Sequence, residues 1–193
     1  MGTIKKNLFS GKGILNISLP VEIFSCDSNL QKLCESLSMA PDLLEKKACE
    51  SGVGALGRFK ACVAFAFTVS VVYFDIDKPF NPILGETFQG FIDGCPVYGE
   101  QISHHPPISS ILFIGRGYRI YGNIEAKVYV HLNSGEGVNE GFSTIEFDDG
   151  GRVVFQTAPG EVSGLAVGDR KFRFKGKTYI MDPKNRLFCA INF

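Results

Sequence analysis

Ile124-Glu-Ala-Lys-Val-Tyr-Val-His-Leu132 reads as a β-strand. Ile124, Ala126, Val128, Val130 and Leu132 alternate with Glu125, Lys127, Tyr129 and His131, so one face is expected dry and the other more polar. The same style continues on both sides of it. After Asp75, glycine and turn signals return about every 8–12 residues, the spacing of short antiparallel strands. They include Asp93-Gly94, Asp149-Gly150-Gly151, Lys175-Gly176 and Pro183-Lys184-Asn185. About nine short strands are expected between Thr87 and Phe193, forming an incomplete barrel or a strongly curved antiparallel sheet. Asn133–Gly141, with Gly135, Gly137 and Gly141, reads as a long loop. Leu187–Phe193 reads as a mostly apolar closing strand. Such an edge should pair within the fold or with another chain, which makes a dimer through it an expectation.

Before Asp75 the period is helical. Asp27 or Ser28 can cap a helix whose Leu30, Leu33, Cys34 and Leu37 fall on one stripe. Pro41 breaks it and suits the first turn of the next helix, where Leu44 and Ala48 share a face. Ser51-Gly-Val-Gly54 stops that one, and Leu56–Phe74 reads as a longer buried helix. Leu15, Ile17 and Leu19 suggest a short strand closed by Pro20. The fold class is therefore α+β, mainly β. Residues 1–26 form a leading segment with a first strand, 27–75 a helical region, and 76–193 the barrel strands.

Composition narrows the function. The 193 residues hold 20 Lys+Arg and 20 Asp+Glu, so whole-chain attraction to nucleic acid is not expected. Gly at 22 and Phe at 17, with no Trp, suit a bent sheet around a large apolar interior. The first ten residues lack the apolar core of a signal peptide, and the nearly apolar run Ala61–Phe74 is shorter than the roughly 20 residues a membrane span needs. The six cysteines contain no C-x-x-C pair, so reduced thiols in a cytosolic protein are expected and a metal site is not.

Gly52-Val-Gly-Ala-Leu-Gly57 spells G-x-G-x-x-G, but a helix rather than a strand precedes it, so it reads as an interhelix loop. P-loop, G-x-S-x-G and H-E-x-x-H signatures are missing, and no nucleophile or metal constellation accompanies the histidines. An enzyme is therefore not expected, and no cofactor. Two stretches stand out. In Glu100-Gln-Ile-Ser-His-His-Pro-Pro107, the prolines hold His105 extended. Adjacent extended residues point to opposite sides, whereas a bent backbone could bring both imidazoles to one anion such as a phosphate, beside which they charge readily. A plain turn and an anion site both remain open on the residues alone. In Lys78-Pro-Phe-Asn-Pro-Ile-Leu-Gly-Glu86 the backbone is restricted, while Lys78, Asn81 and Glu86 offer a cation, an amide and an acceptor. That suits a specific ligand site or a plain connection.

Glu100–Pro107 resembles the signature of the oxysterol-binding protein-related family, with Ile102 in place of the usual valine. Lys78–Glu86 is similar to that family's second fixed stretch, and Leu19-Pro20, Asp42-Leu43-Leu44 and Gly176–Phe193 also resemble it. The resemblance implies part of a lipid-binding domain, about half of the family's length, with residues before Ile14 as a lid remnant. It implies that His104 and His105 contact the 4-phosphate of phosphatidylinositol 4-phosphate, that Lys78 and Asn81 bind its head group, and that Glu86 belongs to the same cluster. It further implies transfer of sterol, phosphatidylserine or that phosphoinositide by a cytoplasmic protein peripheral to membranes. The alternative is a truncated scaffold or regulatory remnant that moves no lipid.

Overall fold

The computed structural model describes residues 24–73, 78–165 and 167–193. The strand expected at Leu15–Leu19 and the lid remnant lie outside them. Strand β1 (Phe24–Ser28) runs straight into helix α1 (Asn29–Glu35). Ser28 caps that helix by accepting the Gln31 backbone N–H at 3.3 Å. Pro41 opens α2 (Pro41–Ala48), which is wound as a π-helix and closes with the Cys49 N–H on the Leu44 carbonyl. Helix α3 (Ala55–Tyr73) follows a turn through Gly52. The G-x-G-x-x-G string thus begins in the turn between two helices, as expected, but its last three residues, Ala55–Gly57, already belong to α3. Leu30, Leu33, Cys34, Leu37, Leu44 and Ala48 are all buried.

Strand β2 (Lys78–Phe80) pairs in parallel with β1. The rest of the chain forms one eleven-stranded sheet, two strands more than expected. Its strands are β3 (Thr87–Ile92), β4 (Cys95–His104), β5 (Pro107–Ile114), β6 (Tyr118–Val130), β7 (Ser134–Asn139) and β8 (Ser143–Phe147). These are followed by β9 (Arg152–Phe155), β10 (Gly160–Ser163), β11 (Lys171–Phe174), β12 (Lys177–Asp182) and β13 (Leu187–Asn192). All its ladders are antiparallel. The sheet is curved but is not a closed barrel. At the hairpin between β3 and β4, Asp93 and Gly94 both take positive φ, at 50° and 75°, as a two-residue I′ turn requires. Strand β13 pairs with β12 along its full length, so the closing strand finds its partner within the fold.

The long strand β6 organises the sheet. One edge pairs with β5; the other is shared, Tyr118–Gly122 with β8 and Ala126–Val130 with β7. At the fork a Cβ on Gly122 would stand 2.5 Å from the Phe142 carbonyl oxygen, and one on Gly141 1.9 Å from that of Asn123. Only glycine lets the strands approach so closely. The helices pack on one face of the sheet: α1 on β3, β4 and β5, and α3 on β9, β12 and β13. Phe65 of α3 meets Phe155 edge-on at 6.0 Å within a core that includes Val97, Ile111, Phe113, Ile120, Ile145 and Ile180. Arg58 ties the start of α3 to the β8–β9 turn through Asp149 at 2.5 Å. That guanidinium holds the Asp149 carboxyl below its ordinary range.

Two sequence expectations need correction. The stretch 133–141 is not a long loop: it contains β7, whose Gly135 and Gly137 pair with Val130 and Val128 on one side and with β10 on the other. Nor is the expected dry face of β6 dry throughout. Ile120 and Ile124 are buried, but Val128 is 63% and Leu132 73% exposed. Leu132 lies beyond the end of the strand, and Val128 lies where β6 has left the helix-covered part of the sheet.

Candidate functional site

The site is built where β4 loses its regular alternation. Cys95, Val97, Gly99 and Gln101 point to the helix-bearing face; a Cβ on Gly99 would touch Cys34 Sγ at 3.1 Å. Between Gln101 and Ser103 the register slips by one residue against β5, so Ile102 is extra. His104, opposite Pro107, therefore returns to the face of Gln101. The turn His105-Pro106 joins β4 to β5, and its peptide bond is cis. The two imidazole rings lie together, with centroids 4.6 Å apart and planes inclined at 58°. Two side chains that an extended dipeptide would send apart thus form one pair. His104 Nδ1 is buried without a hydrogen-bond partner, while His105 is exposed. A buried ring nitrogen with no protein partner is open to an incoming polar group.

The second stretch docks onto the first. Lys78 begins β2, beside β1. Asn81 is exposed, and a turn follows in which the Glu86 N–H donates to the Ile83 carbonyl at 3.1 Å. Gly85 has φ +80°, the conformation that the third position of a type II turn demands. The Glu86 carboxylate accepts the Ile83 N–H at 3.1 Å, so it holds its own turn. Gln101 then joins the stretches: its carbonyl accepts the Gly85 N–H at 2.9 Å, and its own N–H donates to the Glu86 carbonyl at 3.0 Å. Its side chain donates to the Ser103 carbonyl at 2.7 Å and accepts the Ser109 hydroxyl at 2.5 Å. Of the expected site residues, Glu86 and the histidine pair are thus coupled through backbone hydrogen bonds, with Lys78 and Asn81 at the start of the docked stretch. Gln101 is the residue that sequence reasoning passed over. Its odd-numbered parity with Cys95, Val97 and Gly99 was the available signal.

A second feature is an apolar row on the helix-bearing face, exposed at its Val128 end. Residues opposed across a ladder share a face, so Val128, Gly137, Gly160 and Phe174 form one row across β6, β7, β10 and β11. The two glycines leave backbone as the floor between Val128 and Phe174. Phe174 packs against Phe193 at 5.0 Å and Phe67 of α3 at 5.9 Å, and Phe67 stacks on Phe193. On the opposite face of the sheet lies a shallower cleft of about 460 Å³ lined by Ile108, Ser110, Asn123, Glu125 and Thr144 among others. It contains neither histidine. The candidate site is the histidine pair, which carries the unpartnered buried nitrogen and lies on the strand to which the second stretch docks. Among the described residues no group of three His, Cys, Asp or Glu is placed to hold a metal ion, and no helix is long and apolar enough to cross a membrane. Burial pushes the Cys34 and Cys62 thiols up to about 12.

Fold and site together define a class: a curved, incomplete antiparallel barrel over a helical layer, with a polar corner built from two linked turns. The family model described as oxysterol-binding protein matches residues 2–193, and the chain belongs to that family. It is 34% identical over 194 residues to oxysterol-binding protein 9 of Dictyostelium discoideum, covering 99% of this chain and 45% of that one. It is 32% identical to human oxysterol-binding protein-related protein 5, covering all of this chain and 23% of that one. Two solved structures show the same fold. The Osh3 domain from Saccharomyces cerevisiae, solved in complex with PI(4)P, aligns at 25% identity and TM-score 0.80, over 95% of this chain and 49% of that one. The Osh1 domain in complex with cholesterol aligns at 25% identity and TM-score 0.84, over 99% and 48%. The chain thus spans less than half the length of these relatives.

Proposed function

We propose that this chain binds a lipid with a phosphorylated head group, phosphatidylinositol 4-phosphate in the first instance. His104 and His105 would receive the 4-phosphate, and Lys78 and Asn81 the rest of the head group; Glu86 braces the turn that follows Asn81. The observation that carries this reading is the histidine pair with its unpartnered buried nitrogen, on a strand whose Gln101 is hydrogen-bonded to Gly85 and Glu86 of the Lys78–Glu86 stretch. The relative solved with PI(4)P supports it. The apolar row from Val128 to Phe174 supplies a surface for acyl chains, each CH₂ gaining about 0.8 kcal/mol on burial. A sterol, as in the cholesterol complex of a relative, or phosphatidylserine is the second ligand of the same surface. The activity proposed is exchange of these lipids between membranes by a peripherally bound cytoplasmic protein, with no covalent step.

The test is extraction of phosphatidylinositol 4-phosphate and of sterol from liposomes by the 193-residue chain. Wild type should extract the phosphoinositide. His104→Ala combined with His105→Ala should lose at least about a hundredfold in affinity, because two charge-assisted hydrogen bonds contribute roughly 1.5–3 kcal/mol each. Equal extraction by the double variant refutes the head-group assignment. Absence of extraction by wild type favours the second reading, a scaffold of the same family that moves no lipid.

A further inference from the structure

The turn that joins the polar corner to β3 has an apolar tip. Ile83 is 69% exposed, Leu84 64% and Phe80 50%. Apolar side chains in a connecting turn gain nothing from water, yet this turn is held rigidly. Both the Ile83 N–H and carbonyl are bonded to Glu86, and Gly85 and Glu86 are bonded to Gln101 of β4. The backbone of the tip is therefore held in place against the histidine strand, and its two apolar side chains stand off a fixed turn. Its anchor, Gln101, stands only three residues along β4 from His104, roughly 10 Å.

We infer that the Ile83-Leu84 tip is a membrane wedge that enters the interfacial region of a lipid bilayer. Two side chains on one turn cover far less than the roughly 800 Å² per partner that a stable protein interface needs. A bilayer needs no such area, since each apolar group that leaves water contributes separately. The wedge is also placed where it would be useful. A tip sunk to the headgroup level would hold the histidine pair at the depth of lipid phosphates. The inference rests on the proposed head-group site for that purpose but not for its physics, so it is tested on vesicles without phosphoinositide.

The chain has no tryptophan, so Leu84→Trp introduces a single fluorophore at the tip. Phe91→Trp is the control: that residue is 77% exposed at the far end of β3, beside the Asp93-Gly94 hairpin. Each variant is mixed with phosphatidylcholine vesicles, with and without brominated acyl chains. The tip fluorophore should shift to the blue and be quenched by bromine, and the control should do neither. Ile83→Trp should repeat the tip result. Ile83→Ser with Leu84→Ser should weaken vesicle binding about tenfold per side chain. Quenching at neither position, or equally at both, overturns the inference. So does tip fluorescence already blue-shifted without vesicles, which would report a protein cover from this chain or a second copy. Loss of phosphoinositide extraction in the histidine variant, with tip quenching intact, would separate the two proposals.

Discussion

Replacing Gln101 by Met keeps the length of the side chain and removes its amide. Gln101 is 1% exposed, so water cannot substitute for the lost groups. The Ser109 hydroxyl, itself buried, loses its acceptor, and the Ser103 carbonyl loses its donor. A buried polar group left unsatisfied costs about 1–3 kcal/mol, and the Ser103 carbonyl, being only partly buried, recovers some of this from solvent. The sum is about 2–4 kcal/mol. At roughly 2–4 °C per kcal/mol for a domain of this size, Tm should fall by about 4–16 °C. Scanning calorimetry measures it, with Glu100→Met on the exposed face of the same strand as a control that should change little. The decisive comparison is a double-mutant cycle. Ser109→Ala on the wild-type background should destabilise, but on the Gln101→Met background it removes the orphaned hydroxyl and should recover part of the loss. A fall in Tm of less than 2 °C, or a double variant no more stable than Gln101→Met alone, would show that these bonds do not hold the site.

Two further outcomes follow from charge and burial. The Glu161 carboxyl is held below its ordinary value of 4.5 chiefly by the Arg173 guanidinium, with Ser134 also donating to it. Its contribution to stability is complete above 4.5 and is lost as the pH falls through the lower folded value, so Tm should decline on acidification below that point and Glu161→Gln should flatten the decline. Cys34 and Cys62 have thiols pushed up to about 12, which leaves about one thiolate in ten thousand at pH 8. A thiol reagent followed by peptide mapping should modify exposed Cys26 in the native protein, and these two only after unfolding.

The helical quarter of the chain was legible because its signals are local. Ser28 at the cap, Pro41 at a first turn and the stripe through Leu30, Leu33, Cys34 and Leu37 each act within one or two turns of backbone. The sheet was legible in class but not in detail. Ser134–Asn139 has glycine at alternate positions, so no apolar alternation announces it. It is a strand because β6 and β10 pair with it from either side. The buried end of the β6 stripe, at Ile124, was readable, and its open end at Val128 was not, since burial there depends on how far the helices reach. At the site, the residue types left an anion-binding corner and a plain turn both open. The hydrogen-bonded junction through Gln101 could not be read, because it joins segments fifteen residues apart in sequence, from Glu86 to Gln101, through backbone groups that every residue carries.

The extra residue in β4 has the character of a frameshift. Up to Gln101 odd-numbered positions look toward the helices; past Ile102 the parity flips, and His104 inherits the inward view that Ser103 would otherwise have had. What Ile102 contributes is therefore a count rather than a chemistry. Many side chains could stand there, since its own is largely in solvent. Its removal would restore a regular ladder and rotate everything downstream by half a pleat, turning the half-buried His104 imidazole outward while leaving every other letter of the eight-residue motif intact. The motif is thus spelled in part by its length. A chain carrying all of its polar residues, one position short, would keep the chemistry and lose the direction in which it faces.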